Sequence, residues 1–338
     1  MIDCLINRGK KSISIENESA RKEIEILRIL SEFASPVGST LLKRELRKRG
    51  FLLSERTVRY HLQLLEAKGF LLGHNRRGRT ITQLGLEELS RSLATQRLGF
   101  TTTRFMSLAY SATYDPVKDS GSVVANVSIL DKNLQEKAIE TMKDLQNMNL
   151  LSAPYIKMLN EKEEYCDISV PKDKFALFTV CNLTLDSILI HSGIPLFFKY
   201  GGLVQIVNRK PIRFVEIISY EGTTIPPLEV FVYRKMTSIS RVLKTGSGML
   251  LATLREIPSE ARDRTVKILE QQQKKGWGGV LILGEPNESV LGIPVGMDRF
   301  GICMVGGIVP GAAMVEEGEQ IVTFAPHCFI PIEEMIRI

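Results

Sequence analysis

The sequence predicts an α+β multidomain protein. A winged helix-turn-helix stands at the N-terminus, and an α/β-type domain built from two duplicated βαββ-like halves follows it. Three observations predict this. The excess positive charge is confined to one segment of about 80 residues. That segment shows the order helix, helix, capped helix, basic hairpin. A stretch beginning at Gly121 can be laid without gaps on one beginning at Gly248.

The chain has 338 residues, 44% hydrophobic and 24% charged, enough for two or three domains with real cores. No apolar run reaches the ~18 residues a membrane helix needs. The first twenty residues lack a continuous apolar stretch of signal-peptide length, so secretion is not expected. The five cysteines, Cys4, Cys166, Cys181, Cys303 and Cys328, are scattered and odd in number. They fit reduced thiols of a cytoplasmic protein.

The formal net charge is +6, yet residues 21–98 hold 16 Lys and Arg against 8 Asp and Glu, while the rest is near neutral. Most of this surplus is arginine, which suits forked contacts to phosphate and guanine.

Within this segment Ile26, Ile29, Leu30 and Phe33 make one apolar helix face, and Ser35-Pro36 with Gly38 ends it. A second helix follows Ser39, with Leu42 and Leu46 inward, and stops at Gly50. Ser54 is a good N-cap for a third helix, ERTVRYHLQLLEAKG. Val58, Leu62 and Leu65 define its buried face, and His61 flanks that face as a core histidine. Arg56, Arg59, Tyr60 and Gln63 fall on the opposite side, the set that reads a major groove: Arg to guanine, Gln to adenine, Tyr to phosphate. Ser54 and Thr57 join them at the helix start. Two short strands, Phe70-Leu71-Leu72 and Thr80-Ile81-Thr82, then flank a polar tip. Arg76, Arg77 and Arg79 on that tip are expected to press into phosphates or the minor groove.

No catalytic signature is present: no GxxxxGK[ST], HExxH or CxxC. Lys244-Thr245-Gly246-Ser247-Gly248 precedes a strand, not the helix that a nucleotide loop must open. It reads either as a strand-connecting turn or as a loop binding a small anion. Cys181 with His191, and His327 with Cys328, lack the flanking carboxylates of a nucleophile pair or metal site. No cofactor or metal is expected, and a non-enzyme is preferred to the alternative, a small-molecule-metabolising enzyme or a co-regulator adaptor carrying a winged-helix module.

The gap-free match pairs Gly121, Ala125 and Gln146 with Gly248, Ala252 and Gln273, each copy a strand followed by an amphipathic helix. Lys174-Phe175-Ala176-Leu177 resembles Arg299-Phe300-Gly301-Ile302. A further echo is Gly193-Ile194-Pro195 before Gly201-Gly202, against Gly292-Ile293-Pro294 before Gly306-Gly307. The first copy carries an insertion around 183–247. A pseudo-symmetric unit of this kind offers a pocket on the axis between its halves. The expected organisation is a flexible segment at 1–20, the winged helix at 21–93, a linker at 94–118 and a duplicated domain at 119–338, effector-sensing by what the family resemblance given next implies. The two copies span about 121–247 and 248–330.

With these motifs the chain resembles the archaeal nitrogen regulatory protein repressor (NrpR) family. LRIL, VRYHLQLLEAKGF and LGLEEL carry the resemblance at the N-terminus. VVANVSI, GIPLFFKYGGLVQI, RFVEIISYEGTTIPPLEVF, TGSG, LATLREIPSEARD and VGGIVPGAA carry it over about 120–330. The resemblance implies repression of nitrogen-assimilation genes through operator DNA, relieved by 2-oxoglutarate. Some family members hold two regulatory domains, whereas this chain holds one. It therefore works either as a homodimer alone or with a second NrpR-type protein. A small dianion asks for Arg or Lys at each carboxylate plus backbone and hydroxyl donors. Candidates at loops and strand ends are Thr223, Thr224, Lys244, Thr245, Ser247 and Arg255, with Arg213 and Arg234 behind them.

Overall fold

A computed structural model describes residues 19–33, 35–91, 100–316 and 321–338, and the side chains of residues 76 and 91 lie outside it. Most of the expected flexible segment, residues 1–18, therefore falls outside the described residues. The chain divides after Arg97 into two compact units.

In the first unit, α1 (residues 19–31) buries Ile26, Ile29 and Leu30. α2 (Ser39–Lys48) buries Leu42 and Leu46. α3 (Glu55–Ala67) buries Val58, Leu62 and Leu65, and these faces form one core with Val37 and Leu71. β1 (Leu71–Gly73) and β2 (Arg79–Ile81) make an antiparallel hairpin, and α4 (Gln83–Arg91) follows. Gly78 is required where it stands. Its φ is +114°, and a Cβ there would lie 2.4 Å from the backbone of Val37, which is bridged to Arg79 across the wing.

The second unit opens with α5 (Phe100–Ser111) inside the stretch expected to be a linker. Thr101, Phe105 and Ala109 are buried, so residues 100–111 are a packed helix, while residues 94–99 of the expected linker lie outside the described residues. Next come β3 (Ser122–Asp131), α6 (Gln135–Asn147), β4 (Tyr155–Leu159), the small hairpin β5 (Glu164–Tyr165) and β6 (Ile168–Ser169), β7 (Lys174–Val180), α7 (Leu183–His191) and β8 (Phe197–Val207). β9 (Lys210–Ser219), α8 (Pro227–Tyr233) and α9 (Ile239–Thr245) lead to β10 (Gly248–Pro258). α10 (Arg262–Lys274), β11 (Val280–Leu283), β12 (Arg299–Val305), α11 (Val309–Val315), β13 (Val322–Pro331) and β14 (Ile336–Arg337) complete it.

These strands form two five-stranded antiparallel sheets, ordered β11-β12-β10-β8-β9 and β13-β3-β7-β4-β14. The register carries the duplication residue by residue. Ala125 through Asp131 face Val180 through Lys174, and Ala252 through Pro258 face Val305 through Arg299 in the same phase. Each repeat is thus βαββαβ, longer than the βαββ unit expected. Its last strand is exchanged: β8 of the first repeat pairs with β10 of the second, and β13 of the second pairs with β3 of the first. Equivalent positions meet equivalent partners, Phe197 facing Glu256 and Val322 facing Ile129.

Two expectations change as a result. α7 and β8 have counterparts in α11 and β13, so the insertion is confined to β9, α8 and α9. The Gly-Ile-Pro echo joins unrelated places: Gly193 follows α7, whereas Gly292 lies between β11 and β12. The apolar run of β3 is buried on both faces. Val123 and Val127 enter one core cluster while Val124 enters another.

Candidate functional site

Two places carry the chemistry that the sequence singles out, one in each unit. The first is the exposed face of α3. Ser54 is its N-cap, accepting from the Thr57 amide at 3.1 Å, and the two hydroxyls lie 2.8 Å apart. Arg56, Arg59, Tyr60 and Gln63 are all exposed. Arg59 is held in place: its Nη2 donates to Glu55 at 2.6 Å, and Ser39 donates to the same carboxylate oxygen at 3.1 Å. The Ser39 bond and the Arg59 guanidinium hold the Glu55 carboxyl below its ordinary range. His61 is buried, as its place beside the apolar face implied, and burial lowers its pKa.

At the wing, Arg77 is exposed in the turn Asn75–Arg77. Arg76 has its backbone in the same turn, and its side chain lies outside the described residues. Arg79 departs from the expected tip: it sits in β2 and its Nε donates to Glu66 of α3 at 2.8 Å. The strand's alternation turns this side chain back to the helix, so it braces wing against helix.

The second place is a cavity of about 30 Å³ on the pseudo-twofold axis of the second unit, room for one or two waters. Both repeats line it, with Asn126 and Asn182 from the first and Thr253, Arg255 and Gly307 from the second. Asn126 donates to the Gly307 carbonyl at 2.7 Å. Asn182 donates to Thr253 at 3.2 Å and to the Val305 carbonyl at 3.0 Å. These bonds tie the middles of β3 and β10 to the turns that follow β12 and β7, across the axis. The inserted segment and β13 close the remaining sides with Tyr220, Pro226 and Pro326.

Arg255 is the cavity's charged centre, 1% exposed. Its Nε and Nη2 donate to Asp186 of α7 at 3.1 and 2.8 Å, and Asp186 is wholly buried. Burial pushes the Asp186 carboxyl above its usual range, against the pull of the guanidinium. The Arg255 carbon centre lies 4.6 Å from the Phe198 ring centroid. Its Nη1 and the Oδ1 of Asn126 have no hydrogen-bond partner although both are buried. Unpaired buried polar atoms are costly and mark a place that a ligand can satisfy. Cys181 also lines the cavity, and burial pushes its thiol up to about 11, so it stays protonated.

Of the six effector candidates, only Arg255 reaches this cavity. Thr223 donates to the Ile225 carbonyl inside its own turn, and neither it nor Thr224 lines the wall. Lys244 and Thr245 end α9, with Gly246 left-handed at the cap. Ser247 accepts from the Asn208 amide at 3.1 Å. The TGSG stretch is therefore a capped turn into β10. Arg213 is bonded to Gln205 on the outer strands, and Arg234 caps α8. His191 bonds the carbonyls of Tyr110 and Ala112, not Cys181.

Sequence reasoning missed Asn126, Asn182, Asp186 and Gly307. A signal existed for three of them: each of the two Asn and the Asp interrupts an otherwise apolar run. Among the described residues no His, Cys, Asp and Glu cluster could hold a metal ion. No helix there is long and apolar enough to cross a membrane.

Comparison with known proteins agrees with this architecture. Residues 98–337 match the family model of NrpR regulatory domains NRD1 and 2, and residues 24–89 match that of the ribonuclease R winged-helix domain. The chain is 40% identical to the global nitrogen regulator NrpRI of Methanosarcina mazei, over 90% of this chain and 93% of that protein. It is 33% identical to the global nitrogen regulator NrpR of Methanocaldococcus jannaschii over 94% of this chain, spanning 55% of that longer protein. A crystal structure of a nitrogen repressor-like protein from Methanococcus jannaschii superposes with a TM-score of 0.60 at 27% identity, covering 70% of this chain and 96% of the other. The chain belongs to the NrpR family of nitrogen-responsive transcriptional regulators.

Proposed function

We propose that this protein represses nitrogen-assimilation genes by binding operator DNA as a homodimer, and that 2-oxoglutarate entering the axial cavity releases it. The observation that carries the effector half is the unpaired, buried Nη1 of Arg255, a cationic donor on a residue that lines a cavity between two repeats. 2-Oxoglutarate presents carboxylate acceptors to such a donor. Asp186 pre-orients the guanidinium, so little rotamer freedom is lost on binding. The DNA half is supported by the exposed set Arg56, Arg59, Tyr60 and Gln63 on a capped helix, with Arg77 on the wing. Two such helices in a dimer suit an inverted repeat with half-sites one turn or a multiple apart.

The cavity is small beside a dicarboxylate, so in this reading entry of 2-oxoglutarate widens it. A tenfold preference for the opened form shifts the equilibrium by only about 1.4 kcal/mol per site, so both protomers respond for useful induction. Calorimetry with 2-oxoglutarate, run beside gel shifts on a nitrogen-gene promoter, tests the proposal. Saturable heat together with a fall in promoter affinity is expected. No heat and unchanged affinity at every concentration would remove the effector role. A requirement for a second NrpR-type protein would appear as release only when that protein is added.

A further inference from the structure

We propose that Cys166 and Cys328 form an oxidation-sensitive staple, a thiol pair that a small-molecule disulfide closes into a covalent bond between the two repeats. Cys166 belongs to the first repeat, at the tip of the β5–β6 hairpin, and Cys328 belongs to the second, in the exchanged strand β13.

The hairpin tip is a demanding place for a cysteine. Glu164 faces Ser169 and Tyr165 faces Ile168, so Cys166 and Asp167 are the two turn residues. Their φ values are +48° and +62°, the left-handed pair that a tight two-residue hairpin turn needs. Asn-Gly serves such a turn best, and a cysteine at its first position carries a steric cost. Three successive residues of β13 hold this tip. His327 Nε2 donates to the Cys166 carbonyl at 2.8 Å, and the Cys166 thiol donates to the Phe329 carbonyl at 3.7 Å. Between them, the Cys328 thiol hydrogen-bonds the Cys166 sulfur. Both cysteines are half-buried, within reach of a small reagent, whereas Cys181 and Cys303 are buried.

The two thiols are not equivalent. Burial pushes both up, so the pair is protonated at neutral pH. At Cys166 the bond from Cys328 and the Lys157 ammonium oppose that rise, while Asp167 and Glu334 add to it. At Cys328 the bond to Cys166 adds to the rise. Cys166 is therefore the thiol that ionises first and attacks. Its thiolate bonds to one sulfur of the small disulfide, whose S–S bond breaks, and one small thiolate leaves and takes up a proton. Cys328 then gives up its proton, bonds to the Cys166 sulfur and expels the second small thiolate. In all, the two protein thiols lose two electrons and two protons, and the small disulfide becomes two thiols. The second step joins groups already in contact, which favours closure over build-up of the mixed disulfide. The new bond links residues far apart in the chain, the case in which a cross-link restrains the unfolded state most.

The test uses the full chain, reduced and then treated with glutathione disulfide. After alkylation it is cut with trypsin and a glutamate-specific protease, whose cuts at Lys172, Lys174 and Glu319 separate the pair from Cys181 and Cys303. Mass spectrometry is expected to find the Cys166 peptide joined to the Cys328 peptide in the monomer. The thermal midpoint of the second unit is expected to rise by about 5 °C or more over the reduced protein. Dithiothreitol should reverse both effects. Cys166→Ser should lose both and Cys4→Ser should keep both; if Cys166→Ser does not fold, the joined peptide of the wild type decides the matter. Cys166 recovered as a stable mixed disulfide with Cys328 free, both thiols left free, or the joined peptide found only in a covalent dimer would each overturn the staple.

Discussion

Asn126 donates its amide to the carbonyl oxygen of Gly307 at 2.7 Å, and this bond joins the first repeat to the second across the pseudo-twofold axis. The symmetry-related positions, Thr253 and Asn182, make the matching bond at 3.2 Å. The axial cavity is therefore framed by equivalent pairs from both repeats. Its asymmetry comes from Arg255, whose place in the first repeat is taken by Ser128.

The close approach at Gly307 makes it a sensitive position. A Cβ there would meet the Cys181 sulfur at 2.9 Å and the Asn126 amide nitrogen at 3.1 Å. Gly307→Ala should cost about 1–3 kcal/mol of stability through overpacking. It should also fill the cavity, so calorimetry should show 2-oxoglutarate binding lost while gel shifts show operator binding kept. A variant that binds ligand normally would place the effector elsewhere.

Asp186 and Arg255 form a buried pair, and buried pairs respond asymmetrically to mutation. Asp186→Ala leaves a buried guanidinium uncompensated and should cost about 3–5 kcal/mol in denaturant unfolding. Replacing both, as Asp186→Leu with Arg255→Met, should recover most of that stability and still bind no 2-oxoglutarate.

Arg59 and Arg77 should separate in DNA assays. Arg59→Ala should cost about 1–3 kcal/mol and relax preference at one base position. Arg77→Ala should weaken all sites alike and flatten the salt slope by about one unit. Operator preference intact in Arg59→Ala would show that α3 does not read the bases. Arg79 pairs with Glu66, so Arg79→Ala should also loosen the wing, by up to about 1 kcal/mol.

His61 should make the winged helix sensitive to acid. Burial lowers its folded pKa below the ordinary 6.5. The unfolded state then binds the proton more readily, so stability is full above pH 6.5 and is lost as pH falls toward the folded pKa. The winged-helix unfolding temperature should fall as pH drops below 6.5, and His61→Gln should flatten that slope. Equal slopes in both proteins would show that other groups carry the acid response.

The amino-acid sequence by itself determined the local features. A 3.6-residue apolar period marks α1 to α3, Ser54 caps the helix it precedes, and clustered arginine marks the basic unit. The duplication was legible because equivalent strands and helices keep their spacing, so α6 and α10 align end to end. Family membership followed from motifs spread over nearly the whole chain. Only the tertiary structure decided which strand of each repeat pairs with the other repeat, and therefore where the cavity lies. Strand exchange leaves each strand's own pattern unchanged, so no local signal reports it. The same holds for Arg255 and Asp186, 69 residues apart. A charge in an apolar strand reads as a surface residue until the fold brings its counter-ion to it, and burial then turns an ordinary arginine into the cavity's donor.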